Sequence, residues 1–246
     1  MHYLYDNTFE GFLNCYYEHL FLVPCSGIFK KETYQISLLN PYKEIKTDSD
    51  QADKMFDVIK RKLSRETLMN IFYCFLSDHQ SKEEWIFQYL NLGFQMGRDF
   101  NQYHTHKAVL PLLQVVRKVK MESHRYLGYV RFTALGSSLY SSIHPTYNVL
   151  PIIADHFSNR FKSESFILHD KNRNMAVVSD RGNYILCPFK QEISLDLKEH
   201  DIYESLWRTY FHTVGIEGRK NEKLQQNFVP LKYRKDLLEF NLHSDI

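Results

Sequence analysis

Little in this chain of 246 residues points to metal or redox chemistry. The four cysteines, Cys15, Cys25, Cys74 and Cys187, lie far apart, and none forms CxxC or pairs closely with a histidine. No zinc or iron–sulfur site is therefore expected, and a reduced, cytoplasmic protein is the simpler reading. No stretch approaches the roughly 20 apolar residues that a membrane span needs, and HYLYDNTFEGF after Met1 has no basic leader. No membrane partner is expected. GxxxxGK, GxGxxG, GxSxG and HExxH are all missing, as is the LPGVG-like hairpin of helix-hairpin-helix glycosylases. No cofactor is expected, and whether the chain is an enzyme stays open. Charge of one sign is also lacking: 31 Lys and Arg stand against 29 Asp and Glu, a net +2. An electrostatic partner must then be met by a local patch.

What is present is ample core material, 43% hydrophobic and 15% aromatic. The pattern predicts an α+β protein with a mainly helical region over 1–125, an α+β unit with a small antiparallel sheet over 126–189 and a helical tail over 190–246 that packs on the rest; a single domain over the whole chain is the alternative. In the front half, Thr8 caps a helix with Phe9, Phe12, Leu13, Tyr16 and Leu20 on its apolar stripe. ADKMFDVIKRKL and SRETLMNIFYCFL follow, then SKEEWIFQYLNLGFQMG with a Ser81–Glu84 capping box. A long helix is expected from about 102 to 124, kinked by Pro111. LGYVRFTAL and SSLYSSIHP then alternate around Gly136-Ser137, a hairpin signal. Asn148 and Pro151 open a helix, and FILHD, MAVVSD and YILCPF are strands separated by the turns KNRN and RGN, which gives the order β-β-α-β-β-β.

Charge is concentrated in VRKVKMESHRYLGYVRF. From His104 to Arg131, six fixed cations (Lys107, Arg117, Lys118, Lys120, Arg125 and Arg131) face one acid, Glu122. On a helix, Arg117, Lys120 and His124 fall at i, i+3 and i+7, an arrangement that meets successive phosphates. It equally describes a solvated helix face. In the following strand, Tyr129 and Arg131 share one side, where a ring can stack on a base and a guanidinium can reach phosphate; such strands also simply build cores. The tail adds Arg208, Arg219, Lys220, Lys223, Lys232, Arg234 and Lys235 against Glu217, Glu222 and Asp236. The catalytic candidates are weaker. His169-Asp170 invites a metal-phosphohydrolase reading, but that chemistry wants its His-Asp pair on a helix, and FILHD is a strand running into a turn that Asp170 can cap. Glu122 joins them as an acid/base candidate.

The segments YLYDNTFEGFLNCYYEHL, EEWIFQYLNLGFQMG, VRKVKMESHRYLGYVRF, SLYSSIHPTYNVLPIIADHFSNRF, FILHDKNRNMAVV and LWRTYFHTVGIEGRKNEKLQQNFVPLKYRKDLLEF, in that order, resemble a bacterial family of DNA repair or DNA metabolism proteins. That family is a conserved domain of unknown function. Its genes typically lie beside that of a radical-SAM protein of DNA modification or repair, and some relatives are joined to a uracil-DNA-glycosylase-like domain. Its ending resembles E-R-x-N-x-K-L-Q followed by Pro and Tyr. Here Glu217, Arg219, Asn221, Lys223, Leu224, Gln225, Pro230 and Tyr233 stand in that pattern, with Gly218 inserted. The radical-SAM CxxxCxxC motif is absent, so the resemblance implies that iron–sulfur chemistry belongs to the partner and that this chain is its DNA-binding accessory. Arg117, Lys118, Lys120, His124, Arg125, Tyr129, Arg131, Arg208, Arg219, Asn221 and Lys223 would be the nucleic-acid contacts. Two alternatives stay open: a catalytic subunit that modifies or excises a base through His169, Asp170 or Glu122, and a scaffold that binds protein only, through its aromatic front half.

Overall fold

The Thr8 hydroxyl accepts the Gly11 amide at 2.9 Å, and that cap starts α1 (Phe9–Phe21) straight after β1 (His2–Tyr5). The computed structural model describes residues 1–36, 40–190, 202–214, 216, 218 and 221–240, with 202–205, 208, 212 and 238 described by backbone alone. The chain divides into two compact units, Met1–Lys120 and Met121–Ile246. No helix among the described residues is long and apolar enough to cross a membrane.

The first unit contains a sheet that the sequence pattern does not announce. β1 lies between β2 (Gly27–Lys30) and β3 (Tyr42–Glu44), parallel to both. Tyr3, Leu4 and Tyr5 are all buried, so β1 shows no alternation to mark it as a strand. Around the sheet run α1, α2 (Ser49–Lys62), α3 (Arg65–Phe75) and α4 (Lys82–Met96). Tyr5, Phe12, Tyr16, Ile71, Tyr89 and Phe100 are central to the core of this unit. Asp48 caps α2 and Ser64 caps α3, the latter by accepting the Thr67 amide at 2.9 Å. Removing that cap with Ser64→Ala is expected to cost about 1 kcal/mol, read as a lower urea midpoint at unchanged slope.

Two expected helix starts differ. The Ser81–Glu84 capping box does not form: Ser81 has φ −97° and ψ 14°, not the extended backbone an N-cap needs, and its side chain makes no cap bond. The Ser81 amide instead donates to His79 Nδ1 at 3.2 Å, and Glu84 accepts Gln88 Nε2 at 2.9 Å. Residues 98–102 form a short 3-10 turn, and the long helix α5 is Leu110–Tyr129. Pro111 thus sits in its first turn, where a missing amide hydrogen is not needed, and not in the interior of the helix.

In the second unit the expected order holds, beginning four residues beyond the end of α5. Residues 126–129 are the last turn of α5 and not a strand, because Tyr126, Tyr129 and Val130 also satisfy i, i+3, i+4 spacing and the buried Tyr126 belongs to the core. β4 (Thr133–Leu135) and β5 (Ser138–Ile143) form a hairpin on Gly136-Ser137, with Gly136 at φ 59°. After α6 (Leu150–Arg160) come β6 (Ser165–Asp170), β7 (Met175–Asp180) and β8 (Asn183–Pro188). The five-stranded sheet has the order β4-β5-β6-β7-β8. It is antiparallel except at β5–β6, which α6 makes parallel by returning the chain to the starting end. Arg181 and Gly182 turn the β7–β8 hairpin at φ 46° and 88°, the left-handed pair that a two-residue loop requires. Val149, not Asn148, is the N-cap of α6, and Pro151 lies in its first turn. The tail is α7 (Ile202–Val214), α8 (Glu222–Phe228) and the single turn α9 (Leu231–Arg234).

Candidate functional site

The basic run lies on α5, whose only carboxylate is Glu122. In the first unit Arg117, Lys118 and Lys120 are exposed, with Lys120 Nζ 5.1 Å from the Tyr73 ring. In the second unit His124 is exposed, and the Arg125 guanidinium lies over the Tyr233 ring at 5.6 Å. Arg117, Lys120 and His124 fall within one face of the helix, as their spacing predicts.

Glu122 points the other way. It is only 2% exposed and is held by three donors from distant segments. Lys232 Nζ donates to Oε1 at 2.6 Å, the Tyr233 hydroxyl to the same oxygen at 3.1 Å, and the Tyr147 amide to Oε2 at 2.8 Å. Burial pushes the carboxyl pKa up, but the Lys232 and Tyr147 hydrogen bonds and the Lys232 charge outweigh it, and the net shift is downward. Glu122 is therefore ionised and internally neutralised. Its inward position was readable in the sequence, since Val115, Val119, Glu122 and Tyr126 recur at i, i+4, i+7 and i+11. Lys232 and Tyr233 as its partners were not, because they lie over a hundred residues away.

Both ends of the 144–147 segment, within the connection between β5 and α6, are tied by similar bonds. His144 Nδ1 is 2.7 Å from Asp236 Oδ1, and its amide donates to Asp236 Oδ2 at 3.1 Å. Lys232 also donates to the Thr146 hydroxyl at 2.9 Å. From the β6–β7 turn, Asn172 Nδ2 and Arg173 Nη1 donate to the Pro145 carbonyl at 2.9 and 3.2 Å, and Arg173 Nη2 to the Thr146 carbonyl at 2.6 Å. Asp170 organises that turn. Its Oδ1 accepts the Asn172 and Arg173 amides at 2.9 and 3.3 Å, and its Oδ2 accepts Arg173 Nη1 at 3.0 Å. Burial raises its pKa by more than Arg173 lowers it. His169 lies beside it, 2% exposed, with Nδ1 3.1 Å from the Tyr140 hydroxyl and Nε2 lacking a partner among the described residues. Burial, reinforced by the nearby Lys171 charge, lowers its pKa and favours the neutral ring.

The remaining sequence candidates occupy other settings. Tyr129, in the last helical turn, donates its hydroxyl to the Phe228 carbonyl at 2.6 Å and packs on Tyr233. Arg131 lies in the link to β4, ion-paired with Glu239 at 3.1 Å and 5.8 Å from the Trp207 ring. These two residues share no strand face, because the helix continues through Tyr129. Asn221 Oδ1 caps α8 by accepting the Leu224 amide at 3.0 Å, and Lys223 is exposed on that helix. Arg208 is on α7 with only its backbone described, and Arg219 lies outside the described residues.

A family model described as a domain of unknown function, DUF4130, matches residues 80–239. No curated protein and no solved structure matches the chain.

Proposed function

The chain belongs to the DUF4130 family, and from that premise we propose that it binds nucleic acid, DNA in the first instance, as an accessory to a radical-SAM enzyme of DNA modification or repair. One observation carries the reading. On α5 the cations Arg117, Lys118 and Lys120 and the ring of His124 are exposed, while the only acid of the helix is buried and consumed by Lys232. Arg117 and Lys118 consequently present positive charge on the outer face, to which α5 contributes no carboxylate, on a molecule of net charge only +2. Such a face attracts a polyanion without reading its sequence. The partner enzyme rests on the family resemblance, and the lack of a radical-SAM cysteine motif fits a division of labour between two chains.

Fluorescence anisotropy of labelled single-stranded and duplex DNA, with the whole protein at a low and a near-physiological salt concentration, tests the proposal. Binding should weaken steeply as salt rises, with log K falling by about 0.9 per phosphate neutralised for each tenfold rise in salt on duplex DNA. Absence of binding at both concentrations would sink the DNA reading and leave a protein-binding scaffold in its place.

A further inference from the structure

Among the described residues the sheets end on β2 and β3 in the first unit and on β4 and β8 in the second. A free edge is a template for another strand, and proteins blunt it by shortness or by charge. β4 has three residues, β3 has three that include Lys43 and Glu44, and β2 has four and ends on Lys30. β8 has neither guard. Its six residues, Asn183 to Pro188, carry no charge, and Ile185 and Leu186 are 64% and 41% exposed. The two-residue loop Arg181-Gly182 fixes which backbone groups of β8 are free. The pair flanking such a loop, here Asp180 and Asn183, exchanges both of its hydrogen bonds, and the exchange recurs at every second residue. The Phe189 amide keeps that phase by donating to the Asn174 carbonyl at 2.7 Å. Asn183, Ile185 and Cys187 therefore bond to β7, and the amides and carbonyls of Tyr184 and Leu186 point out from the edge. No described residue pairs with them. Pro188, next in that phase, has no amide hydrogen and ends the row.

We propose that β8 pairs with β8 of a second copy of this chain, antiparallel about a two-fold axis through Ile185. The free groups are symmetric about that residue, so a copy of the same edge matches them. Tyr184 of each copy then faces Leu186 of the other and exchanges both backbone hydrogen bonds with it. Ile185 meets its own counterpart in a pair without hydrogen bonds, where side chains approach most closely, and Leu186 packs beside Tyr184. With no charge between Asn183 and Pro188, nothing in the register repels a copy of itself. A contact of two six-residue strands falls at the low end of specific interfaces, below roughly 1,200 Å², so the dimer is a weak one. This inference goes beyond the accessory reading and stands even if α5 never touches nucleic acid.

Sedimentation velocity of the full chain from about 5 to 500 µM tests it: monomer should give way to dimer with a Kd on the order of 100 µM. Ile185→Lys sets like charges opposite each other on the axis at a side chain already 64% exposed, and should weaken dimerisation at least about tenfold. Ile185→Cys in a Cys187→Ser background reads the register. Cα atoms in a pair without hydrogen bonds lie about 4.5 Å apart, within disulfide reach, so mild oxidation should link two copies. The natural chain should stay unlinked, because Cys187 lies opposite Asn183, and Cys15, Cys25 and Cys74 are buried. The proposal is overturned by a monomer throughout the concentration range, by an unchanged Kd in folded Ile185→Lys, by failure of the Ile185→Cys chain to link, or by linking of the natural chain through Cys187.

Discussion

Replacing Lys232 with methionine is expected to lower the unfolding free energy by about 2 to 3 kcal/mol. The change strips the shortest of three hydrogen bonds from a carboxylate that is only 2% exposed, leaving the Tyr233 hydroxyl and the Tyr147 amide to hold a buried negative charge. Lys232 itself is half exposed, so water can reach part of the vacated position, which keeps the cost at the lower end for a broken buried pair. The signature is its pH dependence. The folded pKa of Glu122 lies below the ordinary value of 4.5, so its contribution is present above that value and lost as pH falls through the folded one. The gap between the natural chain and Lys232→Met should be full at neutral pH and narrow below about pH 4.5. Urea unfolding at several pH values checks it, and a gap that does not change with pH would mean that Lys232 acts through packing on Tyr233 and not through charge.

The second large effect concerns binding. The double charge reversal Arg117→Glu with Lys118→Glu should weaken DNA binding about a hundredfold at low salt and flatten the salt slope by about 2. Both side chains are exposed, and neither makes a described packing contact, so the unfolding transition should not move. The loss should be the same for every DNA sequence, because phosphate contacts carry no base information. Unchanged affinity in the double variant would remove α5 from the interface.

Much of the second unit was legible because its turns are chemically explicit. Gly136-Ser137 and Arg181-Gly182 set two hairpins, and Asp170 marks the turn after β6 by capping it. Thr8 likewise gave away a helix start in the first unit. The parallel sheet of that unit stayed hidden, since strands of three or four residues with a fully buried centre leave no period-two pattern. The end of α5 was misread for the opposite reason: Tyr126 to Phe132 alternates well enough for a strand, and only burial of Tyr126 with Tyr233 selects the helix. On the candidate site, spacing predicted the shared face of Arg117, Lys120 and His124. Neither the ion pair that occupies Arg131 nor the bonds that fix Glu122 could be foreseen, because both depend on residues from the tail.

That dependence has a bearing on synthesis at the ribosome. Glu122 waits for a partner 110 residues further along, and at about 5 to 20 residues per second the wait is roughly 5 to 20 s. His144 waits for Asp236 across 92 residues. During that interval the nascent sheet can form its local hairpins, but the connection after β5 lacks the tail residues that tie it down. The second unit is therefore completed late, and a chaperone that shields nascent chains would meet it with the β5–α6 connection still untethered.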